Sequence, residues 1–310
     1  MEGPAKLRAG IMAVQSVNSW RRFEIPGRIT FLEGNGEMPK VEVNSDAGCA
    51  QIYLHGAHVT DFQLAGQPPL LFLSQCSRFA ERQPIRGGIP IILPWFGPRE
   101  GEPMHGFART ADWELHETSA LPEGGATLRF SLPETGASAT WPLFSANYVV
   151  TVTDKLALEL IVTNCSRDQP FSFENCLHSY FHVGDISQVT IAGLKGAAYL
   201  DKVENYAQKR EADDALTIES EVDRVYLDAT GPVEIHDRAL RRKIRLEKSG
   251  SRSTVVWNPW SGKSQQMPDF GNDEYRQMVC VESGNVGRNK ITLPPGRSSV
   301  LKIVLSSDPA

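Results

Sequence analysis

The residue with the clearest acid–base potential in this sequence is His178, in the run 174–182. If that run is a strand, His178, Tyr180 and His182 share one face. An unperturbed imidazole titrates near neutral pH, so His178 can act as a general acid or a general base. A packed, hydrogen-bonded core histidine is the competing interpretation.

Two carboxylates are further candidates. Glu282 closes the apolar run 278–281 and precedes a Ser-Gly turn, so its side chain would project from the rigid end of a strand. It is either a functional carboxylate or a rim carboxylate that caps the turn. Asp223 is followed by Arg224, with which it could form a solvated ion pair. A histidine and a carboxylate supply groups of different basicity, with reference pKa values of about 6.5 and about 4.3.

A stretch rich in glycine and proline contains two arginines that could bind an anion. Arg86 precedes Gly87-Gly88, and Arg109 ends the string His105-Gly106-Phe107-Ala108-Arg109. This composition is typical of a fixed loop, and long loops in compact domains often carry function. Guanidinium groups bind phosphate and carboxylate oxygens in a bidentate manner. Solvated surface arginines are the alternative.

The sequence predicts neither a metal site nor a cofactor. No cysteine or carboxylate stands at a familiar ligand spacing from His178 or His182, and there is no H-E-x-x-H motif. The five cysteines are scattered and include no C-x-x-C pair, which argues against a disulfide framework and a zinc knuckle.

The elements that must position these residues are short strands. Segments rich in β-branched and aromatic residues alternate with Gly, Pro, Asn and Asp, and several show the period of two of a half-buried strand. The predicted strands include residues 40–44, 50–53, 126–132, 147–153, 156–163, 243–248, 253–257, 277–281 and 298–305. Capped helices with a 3.6-residue apolar stripe are almost absent, so we expect an all-β sandwich or barrel.

Charge and hydropathy narrow the range of partners. The net charge of −5 argues against binding to nucleic acid or a membrane surface, so an anionic substrate would need a local cluster of arginines. The apolar stretch 11–17 is too short and too polar for a secretory signal, and no later stretch is long enough to span a membrane. We expect a cytoplasmic monomer that acts on a small molecule.

Taken together, seven segments resemble the aldose 1-epimerase family, most closely its glucose-6-phosphate 1-epimerase branch, the D-hexose-6-phosphate mutarotases. They are Arg86-Gly87-Gly88-Ile89-Pro90, Pro94-Trp95-Phe96-Gly97, His105-Gly106-Phe107-Ala108-Arg109, Leu177-His178-Ser179-Tyr180-Phe181, Asp223-Arg224-Val225-Tyr226, Val256-Trp257-Asn258-Pro259-Trp260 and Val279-Cys280-Val281-Glu282-Ser283-Gly284. They occur in the family's order. The resemblance implies one large β-sandwich of the galactose mutarotase type over residues 31–310. Residues 1–30 would form an N-terminal extension, for which we expect poor order.

The resemblance also implies a role for each candidate residue. His178 matches the general acid that protonates the sugar ring oxygen, and Glu282 matches the general base that takes the proton of the anomeric hydroxyl. Four further positions match substrate-binding residues of the family: Arg86, His105, Arg109 and Asp223. Of these, the two arginines match the phosphate site, and Asp223 matches a carboxylate that holds sugar hydroxyls. Ser179 stands where threonine is common in the family.

The reaction implied is interconversion of the α and β anomers of glucose 6-phosphate by ring opening and reclosure, without metal or cofactor. One alternative is a mutarotase for free aldoses such as galactose, which would not need the two arginines. A second is a non-catalytic sugar-binding protein on the same scaffold. A third is a glycoside hydrolase or lyase, although hydrolysis normally requires two carboxylates.

Overall fold

Antiparallel strands form almost all of the regular structure in residues 17–134 and 140–309, the part of the chain that the computed structural model describes. Each predicted strand segment falls on an observed strand, with ends that differ by a few residues. The prediction of an all-β fold is confirmed. The alternation of apolar and polar residues favours this outcome, because successive side chains of a strand point to opposite faces.

The strands are β1 Ile29–Glu33, β2 Pro39–Asn44, β3 Gly48–Tyr53, β4 His58–Leu64, β5 Ile91–Ile92, β6 Glu114–Leu121, β7 Gly125–Ser131, β8 Phe144–Val152, β9 Leu156–Asn164, β10 Phe171–Phe173, β11 Asn175–Leu177, β12 Tyr180–His182, β13 Val189–Ala192, β14 Ala198–Asp201, β15 Ala207–Arg210, β16 Ala215–Thr217, β17 Val222–Leu227, β18 Val233–Asp237, β19 Arg242–Ser249, β20 Ser253–Asn258, β21 Met278–Asn285, β22 Ile291–Leu293 and β23 Ser298–Pro309. One α-helix, α1, spans Trp260–Ser264, and short 3-10 helices span Val17–Phe23, Asn35–Glu37, Ala108–Thr110, Ile186–Gln188, Glu274–Gln277 and Gly287–Asn289.

Two large sheets enclose the main core. One has the strand order β16-β13-β18-β19-β23-β9-β8-β7-β6, and the other has the order β15-β14-β17-β20-β21-β11-β5 with β12 also paired to β21. A four-stranded sheet, β1-β2-β3-β4, and the pair β10-β22 complete the architecture. The main core cluster takes buried apolar side chains from all four sheets. The second large sheet, with eight strands, is the one that carries the candidate site.

Strand β21 separates the core from the candidate site. All eight of its residues are buried. Val279 and Val281 join the main core, whereas Met278 and Cys280 belong to a separate cluster on the other face. Glu282 lies two residues after Cys280 in the same strand, so its side chain also projects from the face opposite the main core.

Part of the predicted N-terminal extension packs against the sandwich. The ring of Trp20 stacks on that of Phe31 with centroids 6.2 Å apart, and the Thr118 hydroxyl donates a 2.8 Å hydrogen bond to the Phe23 carbonyl. Residues 1–16 lie outside the described residues. In the described ranges no helix is long and apolar enough to cross a membrane.

Candidate active site

His178 and Glu282 contact each other on the site face of the eight-stranded sheet. The distance from His178 Nε2 to Glu282 Oε1 is 3.3 Å, and the two side chains are 8% and 1% exposed. His178 directly follows β11, and Glu282 lies on β21. These strands are paired through Leu177 and Ser283. The backbone ladder therefore fixes the spacing of the two functional groups.

Burial favours the neutral form of each group. It lowers the pKa of His178 well below its usual range, and the nearby His105, Arg109 and Arg86 lower it further. It raises the pKa of Glu282 well above its usual range, and the Asp223 carboxylate adds to this effect. The contact therefore favours a protonated carboxyl group beside a neutral imidazole. Transfer of the carboxyl proton to the imidazole would exchange the acid and the base.

Aromatic rings fix the orientation of the His178 imidazole. It stacks on Tyr180 with centroids 4.7 Å apart and an interplanar angle of 9°. Trp257 and His105 meet it edge-on, at centroid distances of 6.4 Å and 5.6 Å. With rings on several sides, the imidazole cannot turn freely, so Nε2 stays directed at Glu282.

His105 is a second histidine of the same site. Its Nδ1 accepts the Gly97 N–H at 3.0 Å, so the neutral ring carries its proton on Nε2. Burial, followed by the charges of Arg109 and Lys202, lowers the pKa of His105 to about 2. The residue is thus a neutral hydrogen-bond donor. Gly106 follows it with φ of 74°, and a Cβ there would lie 2.0 Å from the Leu93 carbonyl oxygen, which explains the His-Gly pair.

The guanidinium of Arg86 is bound along one edge by Asp269. Its Nε and Nη2 donate to Asp269 Oδ2 at 3.2 and 3.0 Å, and its Nη1 donates to the Tyr180 hydroxyl at 3.0 Å. The Arg86 and Asp269 side chains are 22% and 14% exposed. One N–H on Nη1 and one on Nη2 remain for another acceptor.

The two glycines after Arg86 are required by close backbone contacts. Gly87 has φ of 119°, and a Cβ there would lie 2.4 Å from the Phe72 carbonyl oxygen. Gly88 has φ of 59°, and its Cβ would lie 2.3 Å from the Val59 carbonyl oxygen. The two glycines thus let the loop that carries Arg86 pack closely against the backbone of Phe72 and Val59, and this packing holds the backbone of Arg86 in place.

Arg109 is buried and lies in the 3-10 helix Ala108–Thr110. Its Nη2 donates to the Met104 carbonyl at 2.7 Å, whereas its buried Nε–H has no protein acceptor. Burial lowers the pKa of Arg109 to about 10, which leaves the guanidinium protonated at neutral pH. The charges of Arg86 and Arg109 both act on His105 and His178, so the four residues belong to one site.

Asp223 lies on β17 and is paired with Lys202 rather than with its neighbour in sequence. Asp223 Oδ2 is 2.9 Å from Lys202 Nζ, and that ammonium lies 5.7 Å from the centre of the Phe96 ring. Arg224 points to the other face of the strand, where its Nη1 bonds Glu211 at 3.0 Å. The Asp223–Arg224 ion pair considered from the sequence is therefore absent, because adjacent strand residues point to opposite faces.

Sequence reasoning did not identify several residues of this site: Lys202, Asp269, Cys176 and Cys280. A signal existed for Cys280, which stands two residues before Glu282 in a predicted strand and so shares its face. A ring nitrogen of His178, Cys280 Sγ and one Glu282 carboxylate oxygen lie within 4.8 Å of one another, a spacing at which they could hold a metal ion. The Cys176 thiol donates to Glu282 Oε2 at 3.5 Å.

Sequence comparison relates the chain to a family of sugar isomerases. Residues 39–306 match the model of the aldose 1-epimerase family. A protein of Cenchrus ciliaris named "putative glucose-6-phosphate 1-epimerase" is 38% identical over 271 residues, which cover 84% of this chain and 82% of the relative. An Escherichia coli protein of the same name is 34% identical over 255 residues, which cover 80% and 83% of the two chains.

Solved structures share the fold. The crystal structure of a protein from Salmonella typhimurium described as a "putative mutarotase" matches with a TM-score of 0.85 and 28% identity, over 95% of this chain and 99% of that one. A galactose mutarotase-like protein from Clostridium acetobutylicum matches with a TM-score of 0.71 and 14% identity, over 91% and 98%. The predicted sandwich of the galactose mutarotase type is confirmed.

Proposed function

Because the chain belongs to the aldose 1-epimerase family, we propose that it interconverts the α and β anomers of D-glucose 6-phosphate and of related hexose 6-phosphates. The observation that carries this proposal is the buried 3.3 Å contact between His178 and Glu282. Ring opening needs one proton delivered to the ring oxygen and one removed from the anomeric hydroxyl. Both oxygens are bonded to the same carbon, so an acid and a base this close together can reach both.

In the proposed cycle, His178 and Glu282 give the sugar one proton and take one proton from it in each step. With His178 protonated and Glu282 ionised, the imidazolium donates to the ring oxygen while the carboxylate takes the hydroxyl proton. The bond between the anomeric carbon and the ring oxygen breaks, and the aldehyde carbonyl forms. The pair is then neutral, the combination that burial favours. Rotation of the carbonyl and the reverse proton transfers close the ring from the other face. Each group contributes about 10²–10⁴ in rate.

The neighbouring polar groups would hold the sugar in position. The Nε2–H of His105 is a fixed donor, because Nδ1 is occupied by Gly97. The Asp223 carboxylate, paired on one side with Lys202, can accept hydrogen bonds from sugar hydroxyls. Such positioning keeps the anomeric carbon beside His178 and Glu282 and lowers the entropic part of the barrier.

Recognition of the phosphate would depend on Arg86 and Arg109. The net charge of −5 provides no general attraction for an anion, so the site must bind phosphate locally. Arg109 has a buried Nε–H without a protein acceptor, and buried polar groups are nearly always hydrogen-bonded. Arg86 retains two N–H groups after its bonds to Asp269 and Tyr180. Both observations support an anionic group at this end of the substrate.

The proposed setting is the cytoplasm, with the chain acting as a monomer. All five cysteines are free, which suits a reducing compartment. Size-exclusion chromatography with light scattering would test the monomer, and a stable dimer would contradict it.

The test of function is an NMR measurement of anomer exchange with glucose 6-phosphate, free glucose and free galactose. The proposal expects the exchange between the two anomeric proton signals of glucose 6-phosphate to accelerate in proportion to protein concentration, with a much smaller effect on the free sugars. Greater acceleration with free galactose would identify a free-aldose mutarotase instead. Binding of the sugar phosphate without acceleration would identify a non-catalytic sugar-binding protein.

A further inference from the structure

Three side chains of the site face also form a group of metal-binding type. A ring nitrogen of His178, Cys280 Sγ and a Glu282 carboxylate oxygen lie within 4.8 Å of one another, and all three residues are buried. Within residues 17–134 and 140–309 this is the only group of three such ligand atoms. Cys280 and Glu282 are alternate residues of β21, and His178 stands between two segments that pair with that strand. The backbone therefore presents the three ligands together.

The distance between His178 and Glu282 is close to that between two ligands of a tetrahedral zinc site. Bonds of about 2.0–2.1 Å to nitrogen and about 2.0–2.2 Å to oxygen place the two ligand atoms about 3.3 Å apart at the tetrahedral angle. The observed distance between His178 Nε2 and Glu282 Oε1 is 3.3 Å. The Cys280 sulfur lies within 4.8 Å of a His178 ring nitrogen and of a Glu282 carboxylate oxygen. The thiol of Cys176 lies 3.5 Å from the other Glu282 oxygen, outside this group of three ligand atoms.

We propose that a thiophilic divalent cation, with Zn²⁺ as the type case, binds His178, Cys280 and Glu282 and reversibly inhibits the protein. One thiolate and one carboxylate balance the charge of the cation, and the imidazole binds as a neutral ligand. Thiolate and imidazole select Zn²⁺ over Mg²⁺ and Ca²⁺, which prefer oxygen ligands.

The free protein must lose a thiol proton when the cation binds. Burial, followed by the Glu282 carboxylate, raises the pKa of the Cys280 thiol. A coordinating thiol is nevertheless deprotonated by the ion. The carboxyl proton of Glu282, which burial favours, is displaced as well, so that two protons pass to solvent. Binding of the ion occupies the lone pair of His178 Nε2 and one oxygen of Glu282. Since these atoms perform the proposed proton transfers, the ion and the reaction exclude each other.

The binding part of this inference is independent of the proposed function, and only the inhibition depends on it. Isothermal titration of the full chain with ZnCl₂ should show one strong site, and CoCl₂ should produce the near-ultraviolet absorption of a thiolate bound to Co²⁺. Loss of a group that merely supports a ligand costs about 10–100-fold in metal affinity. Cys280→Ser should therefore weaken Zn²⁺ binding by more than about a hundredfold and abolish the absorption.

The matched control is Cys49→Ser, which removes a half-buried thiol of β3 in the four-stranded sheet and should leave Zn²⁺ affinity unchanged. Cys280→Ala repeats the test if the serine variant folds poorly. In the anomer-exchange assay, Zn²⁺ should inhibit wild type and Cys49→Ser in competition with the sugar phosphate, and a chelator should restore the rate. Each Cys280 variant, compared with its own zinc-free rate, should resist Zn²⁺.

Equal Zn²⁺ affinity in wild type and Cys280→Ser, or Co²⁺ binding without thiolate absorption, would overturn the metal site. Strong Zn²⁺ binding by a chain that accelerates no anomer exchange would leave the metal site standing and refute the proposed function.

Discussion

Replacement of Arg86 by alanine is the sharpest test of phosphate recognition. Of the five N–H groups of the guanidinium, Asp269 takes one on Nε and one on Nη2, and Tyr180 takes one on Nη1. At most two remain for a phosphate oxygen. A hydrogen bond to a charged group contributes about 1.5–3 kcal/mol. Loss of one such bond should raise KM for glucose 6-phosphate by roughly 10–150-fold.

The single variant also leaves the Asp269 carboxylate without its partner. That carboxylate is 14% exposed, so its charge would repel a nearby phosphate and destabilise the fold. The double variant Arg86→Ala/Asp269→Asn removes the repulsion. We therefore expect the double variant to bind glucose 6-phosphate better than Arg86→Ala does, although more weakly than wild type. Anomer exchange by NMR gives kcat and KM on glucose 6-phosphate and on free glucose, and a urea midpoint for each variant checks that it is folded.

If Arg86 recognises phosphate, Arg86→Ala must raise KM for glucose 6-phosphate much more than KM for free glucose. Arg86 also donates to Tyr180, on which His178 stacks. If Arg86→Ala lowers kcat equally on glucose 6-phosphate and free glucose, the arginine acts by holding the imidazole in place and does not recognise phosphate. The free-aldose interpretation would then be favoured.

Three other predictions concern the acid–base pair and the electrostatics of the fold. His178→Ala and Glu282→Gln should each lower the exchange rate by about 10²–10⁴ with an unchanged circular dichroism spectrum, and near wild-type rates in either variant would contradict their roles. Dialysis against a strong chelator should leave the rate unchanged, because ring opening needs only an acid and a base; a loss restored by added metal would disprove this. Burial lowers the pKa of Lys248 from 10.5 to about 8. Between about pH 8 and pH 10.5 the folded state therefore binds fewer protons than the unfolded state. The free-energy penalty for holding this lysine charged in the fold is present in full below about pH 8 and is absent above about pH 10.5. Lys248→Met should stabilise the protein by about 1–3 kcal/mol at pH 7, a gain that vanishes as pH rises through this window in urea titrations; a gain independent of pH would refute this account.

The strands were predictable because their signal is local. Alternation of apolar and polar side chains in residues 156–163 and 298–305 corresponds to the strands β9 and β23, and each needs only a window of a few residues. Which strands pair could not be predicted. The contact of Tyr180 with Cys280 joins segments far apart in sequence, and no periodicity within either segment encodes it.

The candidate site likewise contains residues that could be identified from the sequence and residues that could not. His178, Glu282 and Arg86 could be recognised because each lies in a motif that is contiguous in sequence. Asp269 could not, because it lies in an irregular segment and meets Arg86 across 183 residues of chain. The Asp223–Arg224 pair shows the opposite error, in which adjacency in sequence suggests a contact that the strand geometry prevents. Proximity in an extended strand follows the spacing i and i+2, and the neighbour at i+1 faces away.

The burial of β21 on both faces has a consequence for the lifetime of the active protein. Amide hydrogens exchange slowly where strands are buried and paired on both sides, and such strands open only when the whole domain unfolds. Glu282 is carried by such a strand, since β20 pairs with one edge of β21 while β11 and β12 pair with the other. We therefore expect the amide of Glu282 to exchange slowly, with a protection that reflects global unfolding. The geometry of the acid–base pair should persist until global unfolding, so that thermal inactivation and loss of the native circular dichroism signal occur together.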